Sequence, residues 1–462
     1  MREIAGMRWG VVMTGAMPSF ANGDPEFGRR VPDELGAPTG RYMVVLADEV
    51  QGDETATAEA LRSVAGVTNV ARSSDFAAGA LDVDQAESAD AMVFSELGVA
   101  VVSADPGRAS SIIATAEEDS RVIAVESEQI LHTLTQPQGL TAGYLHGFRD
   151  AASLLCDQLA DTDGAATLAE PAATQFVDTP VMTWGLQATG VATAQPAGQG
   201  TKVAVLDTGF DRGHPDFAGR NVTAQSFVSG QTVQDGQGHG THCIGTACGP
   251  QRPPTPPGSR RYGVDHGAHI LVGKVLSNQG SGTDTNILAG INWAIANGAK
   301  IISMSLGADI PAVSQRYEAV GRRALDRGVL IVAAAGNNAD RSSGNVGFVG
   351  IPANSPSIMA VGAVDSQLHI AEFSARSNPV SGGQVDIVGP GVQVYSSWPM
   401  TKRYHTINGT SMATPHVAGI ASLWAQQTGA TGGALWSVLT RTARRLPLPS
   451  IDAGAGLAQA SQ

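Results

Sequence analysis

The sequence of 462 residues predicts an α/β fold: a mostly parallel sheet with helices on both faces, preceded by a small α+β domain. Two observations predict it. From about residue 176 onward, short continuous apolar runs are separated by helix-length segments, the pattern of parallel strands buried on both faces. Ahead of them, β-rich runs and amphipathic segments follow a different order. With 42% apolar and 15% charged residues, the chain has material for a large core.

The N-terminal elements are predicted in the order β-α-β-β-α-β, the ferredoxin-like arrangement. They are a strand over 41–47, a helix over 54–64, a hairpin pair or one long strand over 91–103 broken near Gly98, a helix over 107–118 and a strand over 122–125. We predict a domain over residues 40–132, after a poorly defined leader over 1–39. The alternative is an acidic linker without a fold.

The C-terminal elements form the main domain, predicted over residues 176–462 after a linker with a helix over 133–175. Its predicted strands cover 202–207, 269–276, 300–306, 329–336 and 358–364, with a helix over 287–298. The Pro-rich run 250–258 is interpreted as a rigid surface insertion.

The charge is divided unevenly along the chain. The net charge is −13, and residues 40–132 hold 5 basic and 17 acidic side chains, a balance of −12. Residues 173–462 hold 19 basic and 15 acidic side chains, a balance of +4. No basic cluster is typical of nucleic-acid binding, so we expect none. The asymmetry suggests that the two parts face each other.

Neither the cysteines nor the N-terminal sequence shows in which cellular compartment the protein lies. The three cysteines, Cys156, Cys243 and Cys248, form neither a disulfide framework nor a metal-type spacing. The N-terminus is a poor signal peptide, with a short apolar stretch and no clean cleavage motif. We expect a secreted protein, with an intracellular one as the alternative. No apolar run reaches the length of a membrane span.

Two glycine-rich motifs place a reactive side chain at the end of an element. Asp207 ends an apolar strand, at the edge where catalytic groups collect in open α/β sheets, although such an aspartate also serves as a cap or turn residue. His239 opens a helix among small residues. His239 and His242 also have a metal-ligand spacing, but the glutamate of the metalloprotease helix is missing.

A third motif, Asn408-Gly-Thr-Ser411-Met-Ala-Thr-Pro415, puts a serine just before a helix with proline in its first turn. The helix N-terminus favours negative charge at the serine oxygen. The alternative is that Ser411 only caps the helix.

The three motifs together are far more specific than each alone. A histidine 32 residues after the aspartate (239 − 207) and a serine 172 residues later (411 − 239) supply a general base, oriented by a carboxylate, and a nucleophile. The order Asp…His…Ser is the one known for subtilisin. Residues 176–462 resemble the subtilisin-like serine proteases, the subtilase family, and residues 40–132 resemble their inhibitory propeptide.

The resemblance implies roles for further residues. Asn337, in Ala-Ala-Ala-Gly336-Asn337, would stabilise the oxyanion together with the Ser411 backbone N–H. Ser305, Leu306 and Gly307 resemble the edge strand that pairs with substrate backbone. Gly350 resembles the floor of the main specificity pocket, which implies large apolar P1 residues.

The sequence also departs from the family pattern. Asp216 matches a calcium-ligand position, but the Pro-rich insertion replaces the loop that supplies the other ligands, so a structural calcium stays uncertain and Asp386 is a further candidate. Cys243 directly follows His242, as in the thiol-bearing proteinase K group, and is interpreted as a small buried hydrophobe.

The expected function is a serine endopeptidase made as a self-processed zymogen. The resemblance implies no cofactor for the chemistry, a monomer, protein or peptide substrates, and the chain's own propeptide as a partner in cis. Two alternatives stay open. One is a pseudoprotease that binds peptides without cleaving them, and the other is that residues 40–132 form an independent interaction module.

Overall fold

The computed structural model describes residues 39–86, 88–104, 109–135, 175–254, 259–378 and 382–461. The predicted leader and the helix predicted in the linker lie outside the described residues. So does the C-terminal end of the Pro-rich run, residues 255–258.

Residues 39–135, here called the N-terminal segment, begin with a five-stranded sheet in the order β2-β3-β4-β1-β5. Its elements are β1 (Arg41–Leu46), α1 (Glu54–Ala65), β2 (Val70–Arg72), α2 (Val83–Ala86), β3 (Ala91–Phe94), β4 (Val99–Ser103), α3 (Ala109–Glu118) and β5 (Val122–Ser127). Apart from β2 and the four-residue helix α2, this is the predicted ferredoxin-like order. The extra strand β2 pairs parallel with β3 at the sheet edge.

Local sequence explains the boundaries of α1. The Asp53 side chain accepts hydrogen bonds from the Thr55 and Ala56 N–H groups, both 2.9 Å, and so satisfies free donors of the first turn. The helix ends at Gly66, whose φ of 68° is left-handed and favours glycine. Its apolar face, including Leu61 and Val64, packs on Val44 and Val102 of the sheet.

The C-terminal domain, residues 175–461, is built on a seven-stranded sheet in the order β15-β14-β13-β11-β7-β9-β8, in which all neighbours are parallel. These strands are β7 (Lys202–Asp207), β8 (Val222–Ser226), β9 (His269–Lys274), β11 (Ile301–Met304), β13 (Leu330–Ala334), β14 (Met359–Val364) and β15 (Ile387–Pro390).

The remaining described elements surround that sheet. They are the strands β6 (Ile130–Thr133), β10 (Ser281–Thr283), β12 (Leu306–Gly307), β16 (Val394–Ser397) and β17 (Tyr404–Ile407), and the helices α4 (Trp184–Ala188), α5 (His239–Cys248), α6 (Asp284–Ala296), α7 (Gln315–Asp326), α8 (Thr410–Thr428), α9 (Gly432–Thr442) and α10 (Ser450–Ala453).

Alternate residues of each central strand enter different cores, which explains the unbroken apolar runs of the sequence. In β7, Val203 and Val205 pack with residues of α5 and α8, whereas Ala204 and Leu206 pack with residues of α6 and α7. The sheet is therefore covered on both faces, as predicted. Among the described residues, no helix is long and apolar enough to cross a bilayer.

The N-terminal segment lies against the helices of one face. Strands β1 and β5 contact α7, and β3 contacts α6. The last strand of the segment, β6, leaves the five-stranded sheet and pairs antiparallel with both β10 and β12. The boundary that the sequence predicts after residue 132 falls inside this strand.

Candidate active site

Asp207 and His239 meet at the carboxyl edge of the parallel sheet. Asp207 is the last residue of β7, and His239 is the first residue of α5. The Asp207 Oδ1 lies 2.7 Å from His239 Nδ1 and accepts a second hydrogen bond from the Thr208 N–H, also 2.7 Å. Both side chains are buried, so the pair is shielded from solvent.

Close backbone packing brings the histidine helix to the strand end. An ideal Cβ on Gly240 would lie 2.3 Å from the Gly209 carbonyl oxygen, so a larger residue does not fit there. Asp235 anchors the helix N-terminus, because its carboxylate accepts hydrogen bonds from the Gly238 N–H (2.8 Å) and the Thr241 N–H (2.9 Å). Sequence analysis missed this role of Asp235, although an aspartate just ahead of a helix is a recognisable capping signal.

The Asp207 carboxylate also controls the proton affinity of His239. Burial acts to lower the pKa of His239, but the Asp207 charge, together with the contacts to Asp207 and Cys243, outweighs burial and holds that pKa well above its usual range. His239 Nε2 has no hydrogen-bond partner among the described residues. In the neutral imidazole, with the Nδ1 proton held by Asp207, this nitrogen is the one that accepts a proton.

Ser411 is the second residue of α8 and is fully buried. Its Oγ donates a hydrogen bond to the Ser305 carbonyl oxygen at 3.0 Å, and Ser305 Oγ donates to the Ser411 carbonyl oxygen at 2.8 Å. The serine hydroxyl therefore points to Ser305 here and not to His239. Catalytic hydrogen bonds often form only once the reaction partners are fully aligned.

Asn337 follows β13 and is fixed at both ends of its side-chain amide. Its Oδ1 accepts hydrogen bonds from the Thr410 N–H (3.0 Å) and the Thr410 hydroxyl (2.9 Å). Its Nδ2 donates to the Leu134 carbonyl oxygen at 2.6 Å. Gly336, with a φ of 128°, donates its N–H to the same threonine hydroxyl at 3.3 Å. The amide is thus aimed at a carbonyl of the N-terminal segment.

That carbonyl belongs to a peptide lying in a cleft. Strand β6 lies between β10 and β12, with Thr133 opposite Leu306 and His132 opposite Gly307. The Leu134 side chain is buried, and its Cδ1 lies 3.1 Å from the position of an ideal Cβ on Gly307. Sequence analysis did not predict β10, whose sequence Ser-Gly-Thr has no apolar pattern.

At Gly409 and Gly350, backbone atoms of other residues occupy the space that a side chain would need. An ideal Cβ on Gly409 would lie 2.6 Å from the Leu134 carbonyl oxygen, so only glycine lets that carbonyl approach Asn337. An ideal Cβ on Gly350 would lie 2.2 Å from the Ala308 carbonyl oxygen. A substitution at Gly350 would therefore displace backbone, in addition to any effect on a pocket.

The two metal candidates have different partners. Asp216 is buried and accepts hydrogen bonds from the hydroxyls of Tyr262 (2.6 Å) and Tyr404 (3.0 Å) and from the Arg403 guanidinium (3.0 Å). Asp386 accepts from the Ala360 N–H at 2.8 Å. Neither aspartate belongs to a cluster of three possible ligands among the described residues, where Asp207, His239 and Cys243 form such a group.

Cys243 and His242 lie behind the site. Cys243 Sγ is 3.8 Å from His239 Nδ1, and burial raises the pKa of this thiol, so it is not poised as a thiolate. Burial lowers the pKa of His242 to about 3, and its Nε2 contacts the Val394 carbonyl oxygen at 3.0 Å. The metal interpretation of His239 and His242 gains no support from this arrangement.

The sequence profile of the peptidase S8 or subtilase family matches residues 198–457, which include every C-terminal site residue described above. The chain belongs to the subtilase family. As a subtilase, it is a serine-type endopeptidase with the α/β fold predicted from its sequence.

Individual subtilases show how far the similarity extends. This subtilase is 41% identical to subtilisin DY of Bacillus licheniformis over 227 residues, which cover 49% of this chain and 77% of that protein. It is 42% identical to subtilisin E of Bacillus subtilis over 228 residues, covering 49% and 55% respectively. A cuticle-degrading protease of Metarhizium anisopliae is 40% identical over 269 residues, covering 56% and 62%.

Proposed function

We propose that Asp207, His239 and Ser411 form the catalytic triad of this subtilase and that Asn337 stabilises the oxyanion. We also propose that the first substrate is the chain itself, cleaved between Leu134 and Thr135. One observation carries the proposal: the Asn337 amide donates to the Leu134 carbonyl oxygen while β6 lies strand-paired in the cleft.

The proposed chemistry gives each of these side chains one role. The Ser411 hydroxyl turns from the Ser305 carbonyl toward His239 Nε2, which accepts its proton as Oγ attacks the Leu134 carbonyl carbon. Asp207 holds the Nδ1–H and stabilises the imidazolium that forms. The new oxyanion gains the Asn337 N–H as donor. His239 then protonates the amine of Thr135, and water hydrolyses the acyl-enzyme. The chemistry needs no cofactor.

The same contacts make the cleaved segment an inhibitor. After cleavage, β6 keeps its pairing with β10 and β12 and so blocks the cleft as a bound product. Two carboxylates strengthen the docking, because Glu126 accepts from the Gln315 N–H (2.7 Å) at the start of α7 and Glu128 from the Thr285 N–H (3.1 Å) in α6.

The residue before the cleaved bond indicates the specificity. Leu134 is a large apolar residue buried against Gly307, so we propose that large apolar P1 residues are preferred over charged ones. A charged side chain in place of Leu134 would be buried without a partner, and the loss of its hydration would cost free energy. Replacing Leu134 by Asp should therefore slow self-cleavage far more than replacing it by Met.

Two further properties are part of the proposal. With both Asp216 oxygens bonded to hydroxyls or to Arg403, we propose that the Arg403 guanidinium supplies the positive charge that a calcium ion would bring there.

We also propose export from the cell, supported by the similarity to a protease named for degrading cuticle.

The test is to follow the full chain by mass spectrometry and N-terminal sequencing. Wild type should yield an N-terminal fragment ending at Leu134 and a second fragment that begins Thr135-Gln136-Pro137. Ser411→Ala should stay full length, while Ser422→Ala, a buried serine of the same helix, should be cleaved like wild type. Cleavage of Ser411→Ala in a protease-free preparation, or a wild type that reacts with no fluorophosphonate probe, would overturn the proposal.

A further inference from the structure

A buried cation joins the two parts of the chain. Arg323 of α7 is only 2% exposed, and the N-terminal segment covers it. An arginine has five N–H donors, and here each has an acceptor in that segment. Nη1 donates to the carbonyl oxygens of Leu97 (2.6 Å) and Gly98 (3.2 Å), Nη2 to the Leu46 carbonyl (2.5 Å) and Asp48 (2.8 Å), and Nε to Asp48 (3.1 Å).

The acceptors form one concave site, which we call the carbonyl socket: the carbonyl oxygens of Leu46, Leu97 and Gly98 with the Asp48 carboxylate. It lies where β1 ends and where the turn between β3 and β4 passes beside it. Gly98 has a φ of 59°, and an ideal Cβ on it would lie 2.8 Å from Arg323 Nη1. The socket thus needs glycine at this place. Its shape fits a planar forked cation better than an ammonium.

The neighbouring arginines differ from Arg323. Arg322 bonds the same Asp48 carboxylate but reaches no socket carbonyl and is 42% exposed. Arg327 pairs with Glu96 at 3.1 Å, where both side chains are more than a third exposed. Solvent-exposed pairs of this kind contribute little to binding. A desolvated arginine with every donor paired is the kind of contact that dominates an interface.

We propose that Arg323 is the residue by which the protease recognises its own N-terminal segment, and that its departure from the carbonyl socket limits the release of that segment after cleavage. The partner that this surface fits is a folded inhibitory domain that presents convergent backbone carbonyls beside one carboxylate. The release step rests on the proposed function, whereas the docking contact does not.

Net charge is a competing explanation, and it makes a different prediction. If the balance of −12 against +4 governed docking, Arg322 and Arg323 would contribute alike, because each brings one positive charge next to Asp48. If the socket governs docking, substitution of Arg323 weakens docking and substitution of Arg322 does not. Arg323→Lys should then weaken docking as well. The adjacent arginine is therefore a matched control.

The first experiment needs no peptidase activity. In the full-length Ser411→Ala chain, local release of the N-terminal segment is reported by hydrogen–deuterium exchange of amides that bond to the C-terminal domain. These are the N–H groups of Glu96, Gln129 and Thr133, which donate to Asn292, Asp284 and Gly280. With Arg323→Gln added, these amides should exchange at least about tenfold faster, and Arg322→Gln should change the rate by less than about threefold. Arg323→Lys tests the same contact in a variant that keeps the charge of the helix, and should resemble Arg323→Gln.

The second experiment uses the self-cleaved complex. Diluted into a peptide substrate, it should show a lag that Arg323→Gln shortens by about tenfold or more and that Arg322→Gln leaves nearly unchanged. The final kcat/KM should be the same in both variants. Equal effects of the two arginines on exchange, or none, would overturn the inference. A third outcome separates the two proposals. If the wild type never cleaves itself but Arg323→Gln still speeds exchange in the Ser411→Ala chain, the proposed function is wrong and the docking contact stands.

Discussion

Asn337 is bonded to Thr410 through its oxygen and to the Leu134 carbonyl through its nitrogen, so its donor is preorganised before any charge develops. Asn337→Ala should lower kcat by about 10²- to 10³-fold, as removal of one oxyanion donor does in a subtilisin, with little change in KM. Steady-state kinetics on a peptide substrate measure it. A loss mainly in KM would mean that the amide binds ground-state substrate and not the oxyanion.

Lys274 places a buried positive charge beside the proposed triad. Its Nζ donates to the Thr208 carbonyl oxygen and, at 2.9 Å, to Asn278 Oδ1. Burial lowers its pKa, and the Asp235 and Asp207 carboxylates oppose that shift. Because the ammonium interacts with Asp207, the hydrogen-bond partner of His239, we expect it to disfavour a second positive charge on His239.

Lys274→Met should therefore raise the pKa of His239. Because the base must be neutral to accept a proton, the acid limb of kcat/KM should move to higher pH, by roughly 0.5 to 1 pH unit. Lys300→Met, which removes an exposed lysine, should leave the limb in place. A change in kcat/KM without a shifted limb would show that Lys274 is only structural.

Among single residues, the sequence predicted those that stand in a short recognisable motif. Asp207, His239 and Ser411 each stand in a glycine-rich run at an element end, and the structure brings Asp207 to His239 and Asn337 to a backbone carbonyl. Their catalytic roles stay predictions. Lys274 was missed because the apolar run of a strand does not show whether its terminal lysine is buried.

Among the elements, α7 is capped by a residue from another part of the chain. Glu126 accepts hydrogen bonds from the Ser314 hydroxyl and the Gln315 N–H, both 2.7 Å, and also from Arg316. Glu126→Ala should shorten the lag of the cleaved complex by about 3- to 30-fold, the range that loss of a helix cap predicts. Glu118→Ala, an exposed glutamate of the same segment, should leave the lag unchanged. Equal effects would point to net charge instead.

Elements with continuous apolar runs were predicted well, and polar or glycine-rich ones were not. Strand β7 and helix α6 match their predicted ranges closely. Strand β8, at the sheet edge, has the polar sequence Val-Thr-Ala-Gln-Ser, and β10 is formed around Gly282. Such strands are defined by their partners, β9 and β6, because their own side chains carry no apolar pattern.

For the whole molecule, buried carboxyls predict how stability depends on pH. Burial raises the pKa of Asp386 from 3.8 to about 7 and that of Asp265 to about 6. The folded state then binds more protons than the unfolded state between these values and 3.8. These two carboxyls should therefore lower the free energy of unfolding as pH rises from about 4 to about 7. Burial of His242 and His416, which lowers their pKa values to about 3 and about 4, acts in the opposite direction over part of that range.

Asp386→Asn should remove part of that dependence. The variant should be more stable than its parent above pH 7, by on the order of 2 kcal/mol, and no more stable near pH 4. Thermal unfolding of the Ser411→Ala chain, which avoids self-digestion, measures it. Asp365→Asn, at a more exposed carboxylate, is the control. A gain that is the same at both pH values would contradict the assignment to Asp386 ionisation.

The position of β6 has a consequence for the timing of activity. While the chain is intact, the cleft and its occupant are tethered, and dilution cannot separate them. The proposed cut after Leu134 would turn one molecule into two, so occupancy would then obey mass action and depend on concentration. Where many copies are crowded together, each cleft would stay filled. As the copies disperse, the clefts would empty, so under this proposal the protease would become active by spreading away from where it was made.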